Sequence, residues 1–236
     1  MSSSRRKIPG IIGGVGPEAA ASFYLRILDA AASRANLVRP AVLMASLSLP
    51  LEAEKAFLSG DKSTEPVYVE SVIQAVRQLE RAGADFLAVP SNTVCLLLNS
   101  IQGSTDLEVM DPISVTIREV LNRNMRSVEI LGTSSLVLSD VYGENLRKHD
   151  CRVVYPEHSR QDHVDRIIRS IVAGTHTEND IHILDEIVDR GLAGDVDGVV
   201  IGCTDLHLVF DKRSTEQRVI DSLTVLAIAA AEKIQS

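Results

Sequence analysis

Aromatic residues make up only 3% of this 236-residue chain, and tryptophan is absent. That scarcity argues against a surface that reads nucleic acid by stacking bases on rings. Positive charge is in deficit: 24 Lys and Arg face 32 Asp and Glu, a net charge of −8. A general affinity for phosphate backbones or anionic lipid is therefore not expected, although a local cationic pocket for a small acid stays possible. Three cysteines with no close pairing make no disulfide framework, and histidines such as His158 and His163 have no zinc-ligand array around them. No apolar run approaches the roughly 18 residues of a membrane span. Met1 to Lys7 is basic, but the apolar stretch behind it is short and broken by Pro9 and glycines, unlike a secretory signal. The expectation is a cytoplasmic protein with no nucleic-acid or membrane partner.

What is present is aliphatic. Hydrophobic residues are 45% of the chain, enough for a globular core built from Ala, Val, Leu and Ile. Strand-like and helix-like segments alternate. "IPGIIGGVG" reads as a strand ending in a glycine loop, and "PEAAASFYLRILDAAASR" as a helix with Pro17 in its first turn. "AVLMASLSL" is a second strand. "EPVYVESVIQAVRQLERAG" is an amphipathic helix with an apolar stripe of Val69, Val72, Ile73, Val76 and Leu79, closed by Gly83. "DFLAVPS" is a buried strand because its apolar run is continuous. The pattern restarts near Asp111-Pro112. Helix "SVTIREVLNRN", strand "SVEILGTSS", helix "SLVLSDVYGENLRKH" and strand "CRVVYP" lead to two more helices, then to strands "DGVVIGCTD" and "RVIDS" and a final helix. Such alternation predicts an α/β fold of parallel sheets with helices on their faces. The boundaries expected are 1–111, rejoined by 216–236, for one domain and 112–215 for the other.

Two strand ends echo each other. "FLAVPSNTVCLL" runs from residue 86 to 97 and "GVVIGCTDLHLVF" from 198 to 210. With Ser91 laid over Cys203, Asn92 faces Thr204 and Cys95 faces His207. Ligands of parallel sheets sit beyond the carboxyl ends of the strands. Two halves facing each other would thus enclose one site, walled by Gly13-Gly14, Ser91-Asn92-Thr93, Thr133-Ser134-Ser135 and Cys203-Thr204. Asn92, Thr93, Thr133, Ser134 and Thr204, with backbone N–H groups at helix starts, could hold a carboxylate; the same residue types also serve as ordinary helix caps. "GIIGGVGP" lacks both the dinucleotide fingerprint and the P-loop lysine, but its Gly14 would let a small acid approach the backbone. Cys203 precedes a helix start, a position that favours thiolate, although a buried cysteine is more often a small hydrophobe. Asp205 could hold an ammonium group or serve only as helix-terminal charge. His207 could pair with the thiol or cap. Cys95 lies one turn past Ser91 but reads mainly as structural, as does Cys151.

Together "GIIGGVGP", "GADFLAVPSNT", "ILGTSS", "VYGENL", "GVVIGCTDLHLV" and "VIDS" resemble the aspartate/glutamate racemase family, closest to its aspartate racemase branch. The resemblance implies two similar Rossmann-like (flavodoxin-like) domains related by a pseudo-twofold, with the site at their interface. It also implies a cofactor-independent enzyme, commonly a homodimer, acting on aspartate, glutamate or a related amino acid. In members resembling this pattern, two cysteines stand on opposite faces of the substrate α-carbon; one removes the α-proton and the other returns a proton. The second of them falls on Cys203, with Asp205 in place of the family's glutamate. The first falls on Ser91, followed by the matching Asn92 and Thr93, and the family's histidine falls on Cys95. A hydroxyl is a far weaker acid than a thiol, whose ordinary pKa is about 8.5, so Ser91 would relay a proton or hold a water. The arginine that the branch uses to clamp a side-chain carboxylate falls near Glu52, with Lys55 or Arg26 as substitutes.

The catalytic candidates are thus Cys203 and Ser91, and the substrate-binding candidates are Gly14, Asn92, Thr93, Thr133, Ser134, Thr204 and Asp205, with no metal and no cofactor. Other readings stay open. One thiol suffices for a decarboxylase or isomerase of a small dicarboxylate. A binding homologue would keep the cleft without the chemistry. A serine engineered at position 91 to trap a ligand would look the same in the sequence.

Overall fold

The computed structural model describes residues 5–32, 39–58, 61–207 and 216–236. It contains two four-stranded parallel sheets with flanking helices. The first holds β1 (Pro9–Gly13), β2 (Leu43–Ser46), β3 (Phe86–Ala88) and β4 (Val109–Met110) in the order β2-β1-β3-β4. The second holds β5 (Ser127–Leu131), β6 (Arg152–Val154), β7 (Gly198–Ile201) and β8 (Val219–Asp221) in the order β6-β5-β7-β8. The two orders are the same order: each half has its first strand in the middle, its second outside it and its third on the other side. β3 and β7 are therefore equivalent strands, so the echo between their sequences has a topological counterpart.

The strands follow from composition. β1, β3 and β7 are buried along their whole lengths, as strands covered by helices on both faces must be. The helices carry recognisable signals. α3 (Glu65–Arg81) has Pro66 in its first turn and buries Tyr68, Val72, Ala75, Val76 and Leu79. The predicted stripe is thus rotated slightly, with Val69 and Ile73 at its half-buried margin. Gly83 follows with φ +90°, the left-handed conformation that glycine adopts without steric cost. α5 (Pro112–Asn122) is capped by Asp111, whose carboxylate accepts from Ser114 N at 2.8 Å.

Four features differ from expectation. β4 is only two residues long, and α2 (Leu51–Leu58) follows β2 without a periodic stripe long enough to be recognised. The helix expected over "SLVLSDVYGENLRKH" is broken into α6 (Ser134–Ser139) and α7 (Val141–Leu146) by Asp140, at φ 52°. Aspartate tolerates that left-handed geometry better than most residues, and its carboxylate is held there by the Tyr155 hydroxyl at 2.8 Å and by Arg147. At the C-terminus, β8 pairs with β7 in the second sheet. The helix after it, Ser222–Gln235, crosses back and packs against α1 (Pro17–Ala32) and α5. Its Leu223, Leu226, Ala227 and Ala230 share a core with Phe23, Ile27 and Phe86. The return to the first half thus begins at the helix and not at residue 216. A second core joins the halves directly, running from Val72 and Val76 through Val94 and Cys95 to Val128, Leu136 and Tyr142.

Candidate active site between the two sheets

The carboxyl ends of β1, β3, β5 and β7 supply the predicted residues. After β1, Gly14 has φ +99°, and a Cβ there would collide with the backbone of Leu47 just beyond β2. Only glycine lets the two strand ends approach so closely. After β3, the Ser91 N–H donates to Val89 O at 2.8 Å, and its hydroxyl accepts from Val94 N at 3.4 Å. After β5, Thr133 caps α6 by accepting from Leu136 N at 3.2 Å. After β7 come Cys203, Thr204 and Asp205, all buried.

Thr93 and Thr133 meet, hydroxyl to hydroxyl, at 3.2 Å, so the strand ends of the two sheets are in contact. Asn92 is committed on both sides: its Nδ2 donates to Ser222 Oγ at 3.0 Å and its Oδ1 accepts from Tyr142 OH at 2.8 Å. Ser134 is likewise engaged, its N–H donating to Asp165 Oδ1 at 3.0 Å and its hydroxyl to Asp165 Oδ2. Those two side chains brace the site in this structure. Ser135 Oγ donates to Phe57 O at 3.1 Å, fastening α6 of the second half to α2 of the first. The Thr204 carbonyl is held by His207 Nδ1, which makes His207 a local brace. Cys95 is buried beneath β3, with its thiol toward Val89 O at 3.9 Å.

The thiol of Cys203 lies 3.9 Å from Asp205 Oδ2. Burial, and after it the Asp205 charge, push the thiol above its ordinary range, against the pull of the Asp205 and Leu206 backbone N–H groups. Cys203 therefore rests protonated, contrary to what a helix start alone suggests. Asp205 is pushed up to about 7 by burial first, then by the charges of Glu54 and Glu18. Glu54 is the residue the sequence pattern did not single out. It sits on α2, its carboxylate accepts from Gly16 N at 3.3 Å, and burial raises it as well. Gly16 is wedged between the two acids, since a Cβ there would strike the Asp205 carboxylate. The arginine substitutes do not gather here: Lys55 pairs with exposed Glu52 at 3.0 Å, and Arg26 reaches Thr224 Oγ1 at 2.5 Å and Asp221 at 3.7 Å.

A separate groove of about 420 Å³ runs beside β4 and the C-terminal helix, lined by Glu108, Met110, Arg118 and Lys233 among others. It contains no thiol and none of the strand-end residues. No group of three or more His, Cys, Asp or Glu among the described residues is arranged to hold a metal. No helix among them is long and apolar enough to cross a membrane.

A pair of matched parallel sheets whose third strands end in Ser91 and Cys203 has counterparts among known proteins. Residues 12–230 match the model of the Asp/Glu/hydantoin racemase family, and the chain belongs to that family. It is 24% identical over 222 residues to the broad specificity amino-acid racemase RacX of Bacillus subtilis, covering 92% of this chain and 94% of that one. Among solved structures, an aspartate racemase homologue from Pyrococcus horikoshii superposes with a TM-score of 0.77 at 26% identity, covering 98% of this chain and 100% of the other. The Picrophilus torridus aspartate racemase shares the fold, with a TM-score of 0.77 at 21% identity over 96% of this chain and 94% of the other.

Proposed function

We propose that the protein is a cofactor-independent amino-acid racemase that moves the α-proton of its substrate with Cys203 on one face and Ser91 on the other. The observation that carries this reading is the position of Cys203 at the end of β7, in the strand equivalent to the one that presents Ser91, within a chain of the racemase family. A base on each face is what inversion of a stereocentre requires, and two equivalent strand ends facing one cleft supply the two positions. Cys203 enters as a thiol and is the proton donor to one face of the carbanion. To act in the reverse direction it must lose its proton, which the Asp205 charge beside it opposes until a substrate ammonium group neutralises that charge. Ser91 relays a proton on the opposite face, directly or through a water. Gly14, Thr93, Thr133 and Thr204 line the substrate, while Asn92 and Ser134 keep the lining in position. Thiol chemistry of this kind needs a reduced cysteine, which fits the cytoplasm, and the family resemblance adds a homodimer.

The test is incubation in D2O with each enantiomer of a panel of amino acids, following loss of the α-proton by NMR and inversion by chiral chromatography. Exchange with inversion, abolished by Cys203→Ala and insensitive to hydroxylamine, is the expected result. Exchange without inversion would mean that Ser91 is inert. Absence of exchange on every amino acid, with proton delivery to a decarboxylating malonate instead, would replace this reading with the single-thiol decarboxylase.

A further inference from the structure

Six large apolar side chains are exposed among the described residues: Tyr24, Leu25, Met44, Val67, Leu138 and Ile228. Four of the six gather around one helix, α1. Tyr24 and Leu25 belong to it. A Cβ at Gly13 would meet both Ala20 of α1 and Met44, which places Met44 on the α1 side of the first sheet. Ile228 stands one turn past Thr224, the residue of the C-terminal helix that Arg26 of α1 contacts. Within α1 the pattern is regular. Ala20, Phe23, Ile27 and Ala31 are buried against the sheet. Ala21, Tyr24, Leu25, Leu28 and Ala32 form a second apolar stripe on the opposite side, all exposed except half-buried Leu28. The polar residues Ser22 and Arg26 lie on the flank between the stripes, where Arg26 Nε donates to Ser22 Oγ at 3.4 Å. A surface helix ordinarily has one apolar face, and a helix that is apolar on both is buried on both. α3 shows the ordinary case in this chain: its exposed positions include Glu70, Gln74, Arg77 and Gln78. Val67 and Leu138 are single exposed residues, which need no explanation.

Charge decides what covers this face. The chain carries a net charge of −8, so two copies repel unless neutral surfaces meet. The outer stripe from Ala21 to Ala32 contains no charged residue. Its two ends have opposite signs. Glu18 is exposed in the first turn of α1. Exposed Arg39 stands four residues ahead of β2, at the edge of the sheet where β1 and β2 both begin and to which α1 returns. A two-fold axis that lays α1 antiparallel on the α1 of a second copy sets the Glu18 end of each protomer toward the Arg39 end of its partner, and it opposes the two helix dipoles. We infer that a second copy of this chain docks here, α1 against α1, with the axis near Leu25 and Leu28. The inference gives a surface to the homodimer of the proposed function; it rests on that reading for the number of copies and not for the chemistry at Cys203.

The experiment measures the mass of the full chain by light scattering over a dilution series at micromolar concentration, with circular dichroism to check folding. Wild type should have the mass of two chains. Leu25→Glu and Ala21→Glu, at exposed positions, should each raise the dimer dissociation constant by at least about tenfold, because each buries an unpaired charge at the centre of the interface. Val67→Glu and Leu138→Glu should leave it unchanged. A monomeric wild type overturns both the interface and the homodimer, and leaves the chemistry at Cys203 to its own test. Dimers that survive both α1 substitutions, or that Val67→Glu or Leu138→Glu dissociates instead, overturn the interface alone. If the glutamate variants fail to fold, a short bis-maleimide applied to Leu25→Cys decides, with wild type as the control for the three buried cysteines. A covalent two-chain species supports the interface, and its absence overturns it.

Discussion

Thr93 Oγ1 lies 3.2 Å from Thr133 Oγ1. One hydroxyl follows β3 of the first sheet and the other follows β5 of the second, so this hydrogen bond, with those of Tyr142 to Asn92 and Ser135 to Phe57, ties the two halves together. Thr93→Val keeps the shape and deletes the bond. A loss of about 0.5–1.5 kcal/mol in urea unfolding is expected, the usual net value of one buried hydrogen bond. On the proposed function both residues line the substrate, so turnover should fall further than stability. Unchanged stability and turnover would show that the contact does not join the walls.

Tyr142 supports the site from below. Its hydroxyl donates to Asn92 Oδ1 at 2.8 Å, and Asn92 is 2% exposed. Tyr142→Phe leaves that buried carbonyl without its donor, which costs about 1–3 kcal/mol. The expected result is a lower thermal midpoint and a raised KM.

Asp205 should make stability depend on pH. Its carboxyl ionises near 7 in the folded chain and near about 3.9 when unfolded. Between those values the folded state holds a proton that the unfolded state has lost. Stability from this group is therefore fully present below about pH 4 and falls as pH rises toward 7. The groups facing it, Glu54, Glu18 and Cys203, do not oppose the trend, since none is a cation. Asp205→Asn removes the penalty, so its stability gain over wild type should be on the order of 2–4 kcal/mol at about pH 8 and vanish near pH 4. Equal gains at both values would refute the assignment.

The same substitution bears on the thiol. The Asp205 charge is the second cause, after burial, of the raised Cys203 thiol. Asp205→Asn should speed alkylation of Cys203 by iodoacetamide several-fold at about pH 8, because more thiolate is present. Peptide mapping should show Cys95 and Cys151, both buried, labelled no faster than in wild type.

Ser91→Cys tests the asymmetry of the two faces. A positioned acid–base group contributes roughly 10²–10⁴-fold to a proton transfer, and a thiol is a far better one than a hydroxyl. The substituted protein should racemise at least about tenfold faster than wild type. No change would mean that Ser91 does not face the α-carbon.

The two-sheet fold was legible because its signals are local. Continuous apolar runs mark β1, β3 and β7, and Pro17, Pro66 and Pro112 mark helix starts. The echo of Ser91 and Cys203 marked two strand ends that share one place in the topology. What escaped was short or long-range. β4 has two residues, too few for any periodicity. The break at Asp140 depends on Tyr155 and Arg147, whose approach no local pattern announces. Glu54 looked like one more charge in "SLPLEAEKAF", and nothing within α2 distinguishes it from Glu52.

The amino-acid sequence by itself determined the architecture, the duplication and the placement of Cys203 at a strand end, since backbone propensity, apolar period and turn chemistry are carried by neighbouring residues. Only the tertiary structure decided the electrostatics of the site. It buried Glu54 and left Glu52 exposed, set Asp205 beside the thiol, and turned Asn92 and Ser134 into braces by giving them Tyr142, Ser222 and Asp165 as partners. Burial and the distance between charges exist only once remote segments are packed, and those two quantities govern how a carboxylate or a thiol ionises.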